Sequence, residues 1–243
     1  MIIGRKPWRV KRMMLDFMIR QLGSDTRDIQ YVQVGANDGV LDDPVYPIAS
    51  VKKWHGLLIE PVPTYFDKLV ELHAGSPETK LENVAISDTV GELEIFYLNP
   101  NAEERFPDWA RGCASLDKDR LLTVLAAKST VAKDDILSKS VAVERLENVL
   151  SRHQFSGIDI LIVDVEGHEA KVLRSLDFTR WCPTLVVVES NSGLEHDREI
   201  RDILSAAKYR FARIGDDIVA FSSNYPNVDP IELLKFVGFS ELS

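Results

Sequence analysis

The sequence predicts an α/β fold built on a doubly wound, largely parallel sheet, and three observations lead there. Short apolar runs of strand length alternate with amphipathic stretches of helical period along most of the chain. The first two runs end in chemistry that belongs at the carboxyl edge of such a sheet: Tyr31-Val-Gln-Val-Gly-Ala-Asn-Asp-Gly39 passes into a small polar turn, and Gly56-Leu-Leu-Ile-Glu60 closes on an acid. The last two runs, Tyr209 to Ile214 and Asp217 to Phe221, are joined across Gly215-Asp216 and read as a closing antiparallel hairpin.

Each element follows in order. Residues 1–28 form a separate N-terminal unit, because Arg5, Lys6, Arg9, Lys11, Arg12 and Arg20 interleave with Trp8, Val10, Met13, Met14, Leu15, Phe17, Met18 and Leu22 as one basic and one apolar helical face. We read it as a helix packed on the sheet or on a second subunit of a homodimer; the same faces would also suit an anionic membrane surface. Within residues 29–243, strand one is expected near 30–35, a helix around 44–54, strand two at 56–60, and a helix from Pro63 to His73 with proline in its first turn. Strand three is expected at 81–86, followed by a turn at Thr89-Val-Gly-Glu92 and an extra strand at Leu93–Leu98. Residues 99–140 read as an irregular insertion on the substrate side, with a helix near 117–128. A short strand at Ser140–Val143, a helix over 144–152, strand four at Ile158–Val163, strand five at Thr184–Glu189 and a helix from Glu195 to Ala207 complete the pattern.

Composition narrows the function. With 243 residues, 45% hydrophobic and 28% charged, the chain can bury the core of one domain with a six- or seven-stranded sheet. A net charge of -9 argues against a nucleic-acid partner, which calls for a basic face. Cys113 and Cys182 lie far apart with no metal-like spacing and read as reduced thiols of a cytoplasmic protein. No apolar run reaches the length of a membrane span, and no leader-like apolar segment opens the chain.

The turn after strand one decides which nucleoside is expected. Gly35-Ala36-Asn37-Asp38-Gly39 lacks the third glycine of a pyrophosphate cradle, while its Asn and Asp suit a ligand with an amino-acid moiety. Glu60 sits at the spacing that puts a carboxylate against both ribose hydroxyls. S-adenosylmethionine has all of these groups. Asn83, at the end of strand three, offers a donor and an acceptor to an adenine edge. After strand four, Asp164, Glu166, His168 and Glu169 crowd together on the expected acceptor side, where carboxylates must be protonated, paired or metal-bound. His168 is the natural general base near neutral pH and Asp164 its rival. A divalent ion on Asp164, Glu166, His168 and Glu189 is the alternative, but the spacing matches no fixed metal motif, and the reading takes no metal.

Val34-Gly-Ala-Asn-Asp-Gly39, Ile59-Glu-Pro61, Asn83-Val-Ala-Ile-Ser-Asp88, Val143-Glu-Arg-Leu146 and Ile158-Asp-Ile-Leu-Ile-Val-Asp-Val-Glu-Gly-His-Glu169 stand in the order and spacing of FkbM-type S-adenosylmethionine-dependent methyltransferases. The resemblance covers roughly residues 30–190, and D-x-E-G after a buried strand is its strongest mark. It implies a Rossmann-like, class I seven-stranded sheet in the order 3-2-1-4-5-7-6. It also implies cofactor contacts from Gly35, Ala36, Asn37, Asp38, Gly39, Glu60, Asn83, Ala85 and Asp164, and catalysis by His168, Asp164 and Glu166. Arg111-Gly-Cys-Ala-Ser-Leu116 resembles the family's small-residue segment, which makes Ser115 and Arg111 candidate acceptor contacts. The activity implied is O-methylation of a hydroxyl on a sugar, glycan or secondary metabolite. The alternatives are a nicotinamide-dependent oxidoreductase, which Glu60 alone would permit, and a non-catalytic nucleoside-binding module.

Overall fold

The computed structural model describes residues 7–23, 28–41, 43–127, 129–190 and 193–223. Arg5 and Lys6 of the basic face, and the last residue of the helix expected over 117–128, lie outside the described residues, as does everything beyond 223. In chain order the elements are α1 (Pro7–Leu22), β1 (Gln30–Val34), α2 (Tyr46–Lys52), β2 (His55–Ile59), α3 (Pro63–Leu72), β3 (Thr79–Glu82), β4 (Ala85–Ile86) and β5 (Gly91–Leu98). There follow α4 (Lys118–Ala126), β6 (Ile136–Glu144), α5 (Leu146–Arg152), β7 (Ile160–Val163), α6 (Glu169–Arg174), α7 (Phe178–Trp181), β8 (Leu185–Glu189), α8 (Leu194–Ala206), β9 (Arg210–Ile214) and β10 (Asp217–Phe221).

Seven strands form one sheet in the order β3-β2-β1-β7-β8-β10-β9, which is the expected 3-2-1-4-5-7-6. The pairs from β3 to β8 are parallel, and β10 runs antiparallel to both β8 and β9. Alternate residues of the central strands face opposite layers, as the period of two requires. Val32, Val34, Leu57, Ile59, Leu161, Val163, Val186 and Val188 pack against α5, α6 and α8. Tyr31, Leu58, Ile160, Ile162, Leu185 and Val187 pack against α1 and α2. The α1 helix buries Met14, Leu15, Met18, Ile19 and Leu22 on that second face, so the sheet is the partner its apolar stripe calls for. Lys11 ties it down further, through an ion pair to Asp217 at 2.8 Å. Among the described residues no helix is long and apolar enough to cross a membrane.

Two expectations need correction. Strand three does not run unbroken over 81–86: the chain leaves the main sheet after Glu82, turns at Asn83, and β4 joins a second, three-stranded sheet in the order β4-β6-β5. The strand expected at Ser140–Val143 is nine residues long, because β6 pairs along its whole length with β5, from Gly91↔Val143 to Leu98↔Ile136. The irregular insertion is therefore the connection of a long hairpin. It has its own small core of Leu98, Ala102, Phe106, Ala110, Cys113, Leu121 and Leu125, which lets it hold a shape above the sheet edge.

Candidate functional site

The carboxyl ends of β1, β2 and β7 meet under the hairpin. At the end of β1 the chain turns at Gly35 with φ +85, where a Cβ would stand 1.8 Å from the Asp164 carbonyl oxygen. Only glycine allows β1 and β7 to approach so closely there. The turn's backbone donors are taken up within the protein. Gly35 N and Ala36 N donate to Ile59 O at 3.0 Å, Asn37 N to Glu60 Oε2 at 2.8 Å, Asp38 N to Asn37 Oδ1 at 2.7 Å, and Gly39 N to Ala36 O at 3.0 Å. The turn's function is shape: it hands a side chain on, rather than its amides. Asn37 Nδ2 donates to Arg111 O at 3.0 Å and the Asp38 carboxylate lies 3.6 Å from Arg111 Nη2, so the turn grips the insertion.

Glu60, at the tip of β2, is 4% exposed. Its Oε1 accepts from Val62 N at 2.7 Å and its Oε2 from Asn37 N, which leaves each oxygen a further lone pair. Burial pushes its carboxyl up to about 7 against the pull of those two N–H donors. Glu60 opens on a narrow slot whose walls include Val34, Gly35, Asn37, Pro61, Val84, Ala85, Ile86, Ile95, Leu116 and Asp164. Asn83 stands outside this slot: its amide donates to Glu60 O at 2.8 Å and Pro61 O at 3.2 Å, fixing the loop that carries the acid. Ala85 reaches the slot because β4 swings back beneath the hairpin.

On the far side of Asp164 lies a second cavity of about 390 Å³, lined by Gln33, Leu41, Pro44, Trp109, Cys113, Val124, Ile162, Glu166, Glu189 and Asp216. Gly35, Asn37, Gly112 and Asp164 belong to both spaces and form the passage between them. One oxygen each of Asp164, Glu166 and Glu189 lie within 4.8 Å of one another. The acids crowded around them push both Asp164 and Glu189 up, so this pair holds a proton between them at neutral pH. Arg120 of α4, which the sequence gave no reason to single out, pairs with Glu166 at 2.7 Å. Such a trio could hold a divalent cation.

His168 is not part of that trio. Its Nε2 sits 2.9 Å from Ser87 Oγ, its ring lines the slot, and burial pushes it down to about 4, so it is neutral at pH 7. The four-residue metal set Asp164, Glu166, His168 and Glu189 is thus divided between the two spaces. Ser115 is 3% exposed; it pairs its backbone with Phe96 and its Oγ donates to Glu166 O at 2.9 Å, so it latches the insertion to the loop after β7. Glu169 turns inward, accepting from Val165 N and Gly167 N, and caps that loop.

The slot suits the cofactor that the sequence implies. Apolar walls at Val84, Ala85, Ile86, Ile95 and Leu116 fit a base, a buried carboxyl with free lone pairs fits a ribose, and the polar end at Asn37 and Asp164 fits a charged amino-acid group. A family model described as the methyltransferase FkbM domain matches residues 33–211. Among solved structures the chain is similar to methyltransferase FkbM from Methylobacillus flagellatus KT, with 12% identity and a TM-score of 0.51 over 81% of this chain and 44% of that one. It is also similar to fibrillarin from Aeropyrum pernix in complex with S-adenosyl-L-methionine (11% identity, TM-score 0.42, 80% and 66% of the two chains). A third is precorrin-6y C5,15-methyltransferase from Geobacter metallireducens (9%, 0.40, 86% and 87%). No curated protein matches. The chain spans less than half the length of the FkbM structure it matches. With the family match covering most of the chain, the chain belongs to the FkbM methyltransferase family.

Proposed function

We propose that this protein transfers a methyl group from S-adenosylmethionine to a hydroxyl of a sugar, glycan or secondary metabolite. The observation that carries the reading is the passage at Asp164, where a slot with a buried carboxyl opens onto a roomier cavity lined by acids and by Trp109, 37% exposed. A cavity lined by an indole and by carboxyl acceptors is suited to a polyhydroxyl ring, which can stack with one face and donate with its hydroxyls. When bound, S-adenosylmethionine supplies an electrophilic methyl group. In this reading Glu60 accepts from the ribose hydroxyls, the Val84-to-Ile86 wall holds the base, and Asp38 and Arg111 keep the insertion closed over the turn.

Removal of the acceptor proton falls to Asp164. It lines both spaces, and a carboxyl pushed up by neighbouring acids is a stronger base than an ordinary one. Glu189 shares its proton with it, and Glu166, held by Arg120, fixes the electrostatics beside it. His168 takes a supporting place on the slot wall, because a ring pushed down to about 4 is a weak base. The reading needs no metal, since Arg120 and the shared proton already neutralise two of the trio's charges. It sets the reaction in the cytoplasm with no nucleic-acid partner, in keeping with two free thiols and an acidic chain.

Methyl-labelled S-adenosylmethionine and a panel of sugars and polyols test this. Label appearing as an ether methyl, undiminished by chelator, supports the reading. Label on nitrogen or carbon contradicts O-methylation, and turnover that a chelator abolishes and Mg²⁺ restores makes the acid trio a metal site.

A further inference from the structure

The loop after β7 is held in a conformation it would not choose. Glu166 has φ +52 and Gly167 φ +100, both left-handed, and a non-glycine residue keeps such a backbone only when its surroundings over-determine it. The loop matters because Asp164 precedes it and Glu166 is in it. From above, Arg120 pairs with the Glu166 carboxylate and rests on Gly167, while Ser115 Oγ donates to Glu166 O. From the other side, among the described residues, the support is a buried carboxylate. The Glu169 carboxylate accepts from Val165 N at 3.2 Å and from Gly167 N at 3.0 and 3.1 Å.

Glu169 is itself 1% exposed, so its charge needs a partner. That partner comes from outside the motif, on the first turn of α8: His196 Nε2 stands 2.5 Å from Glu169 Oε2. Burial would push the Glu169 carboxyl up, yet His196 and the Gly167 N–H hold it below the usual carboxylate range. A carboxylate can only accept, so the ring nitrogen donates. If His196 were absent, Glu169 would either take up a proton or turn toward water, and in both cases the two loop amides would lose a charged acceptor.

We propose that His196 is a positioning residue for the methyltransferase site: through Glu169 it fixes the loop that sets Asp164 and Glu166. It touches neither the slot nor the acid-lined cavity. The proposal rests on the functional reading above, and its test separates the two. In the full chain, His196→Ala and His196→Phe, the second keeping the ring's bulk without its N–H, are compared with His196→Gln, whose amide can still donate to Glu169. Two quantities are read: the affinity for S-adenosylhomocysteine by calorimetry, and the hydrogen-exchange rates of the Val165 and Gly167 amides.

The expected result is affinity about tenfold weaker and faster exchange at those two amides in the Ala and Phe variants, with recovery in the Gln variant. Unchanged exchange at Val165 and Gly167 overturns the proposal. So does exchange that rises equally throughout the chain, or a Gln variant no better than Ala, since either would make His196 a stabilising residue only. If the unaltered protein fails to bind S-adenosylhomocysteine, the functional reading fails, and the exchange rates alone decide the role of His196.

Discussion

Glu60 and Asp164 are both acids made unusually basic by their surroundings, and each makes a prediction about pH or rate. Ionised Glu60 is the form that accepts from a ribose, and its carboxyl is pushed up to about 7. Affinity for S-adenosylhomocysteine should therefore fall as pH drops from 8 to 6, and Glu60→Gln should flatten that dependence while weakening binding at pH 8; calorimetry at three pH values reads both. For Asp164, general-base catalysis typically contributes about 10² to 10⁴ in rate, so Asp164→Asn should lose that much turnover and His168→Ala far less. Equal losses would return the base role to His168. At this scale the sequence was informative about charge and poor about direction. Glu60 was legible because strand-two acids have one place to point. Asn83 and Ser115 were not, since an amide or hydroxyl next to a turn serves the backbone as readily as a ligand, and here Asn83 holds Glu60's loop and Ser115 holds Glu166. Arg120 was invisible because its partner lies 46 residues away.

Elements were legible where one period ran unbroken. The central strands β1, β2, β7 and β8, the closing hairpin and helices α1, α3, α5 and α8 are where the apolar pattern puts them, whereas strand three ends at Glu82 and the short helices α6 and α7 were not anticipated. The remaining errors fall in the second sheet, where β5 and β6 expose most of their outer halves and the apolar alternation fades. Pairing between the two strands, rather than burial, sets their length. The junction of β1 and β7 predicts the largest effect of any single substitution considered. Gly35→Ala would force a side chain into the Asp164 carbonyl at a positive φ, so the protein should lose several kcal/mol of stability, or fail to fold, by thermal denaturation. The N-terminal helix belongs to the same level. Ile19 is fully buried between α1 and the sheet, and Ile19→Ala should cost about 2 to 5 kcal/mol. A loss below the range of ordinary surface substitutions would mean that α1 is not seated on the sheet in solution.

The molecule as a whole places strained, charged chemistry at one edge of an apolar sheet, and its stability should record this. Glu60, Asp164 and Glu189 are all raised above their unfolded values, so the folded chain binds more protons and stability grows as pH falls. For Glu60 the window runs from about pH 7 down to 4.5. Glu169 and His168 act oppositely: the lowered Glu169 carboxyl contributes stability lost as pH falls below the ordinary carboxylate range, and His168, pushed down to about 4, costs stability as pH falls from 6.5. The ligand-free protein should therefore melt highest in mildly acidic buffer, and a melting temperature that climbs steadily from pH 5 to 8 would refute the environment described for these acids. The family was legible from the ordered motifs, and the place of Glu60 at the tip of β2 from its spacing. The acid-lined cavity was not, because residues from the ends of the chain's strands and from a hairpin connection meet there only after folding. The central claim is that the Glu60 slot holds the nucleoside of S-adenosylmethionine, and titration calorimetry of S-adenosylhomocysteine into the full chain at pH 8, beside Glu60→Ala, tests it most directly. The account predicts one saturable site, an affinity at least about tenfold weaker in the variant, and no heat from nicotinamide adenine dinucleotide. No binding to the unaltered protein, or equal affinity in a folded Glu60→Ala variant, would contradict it.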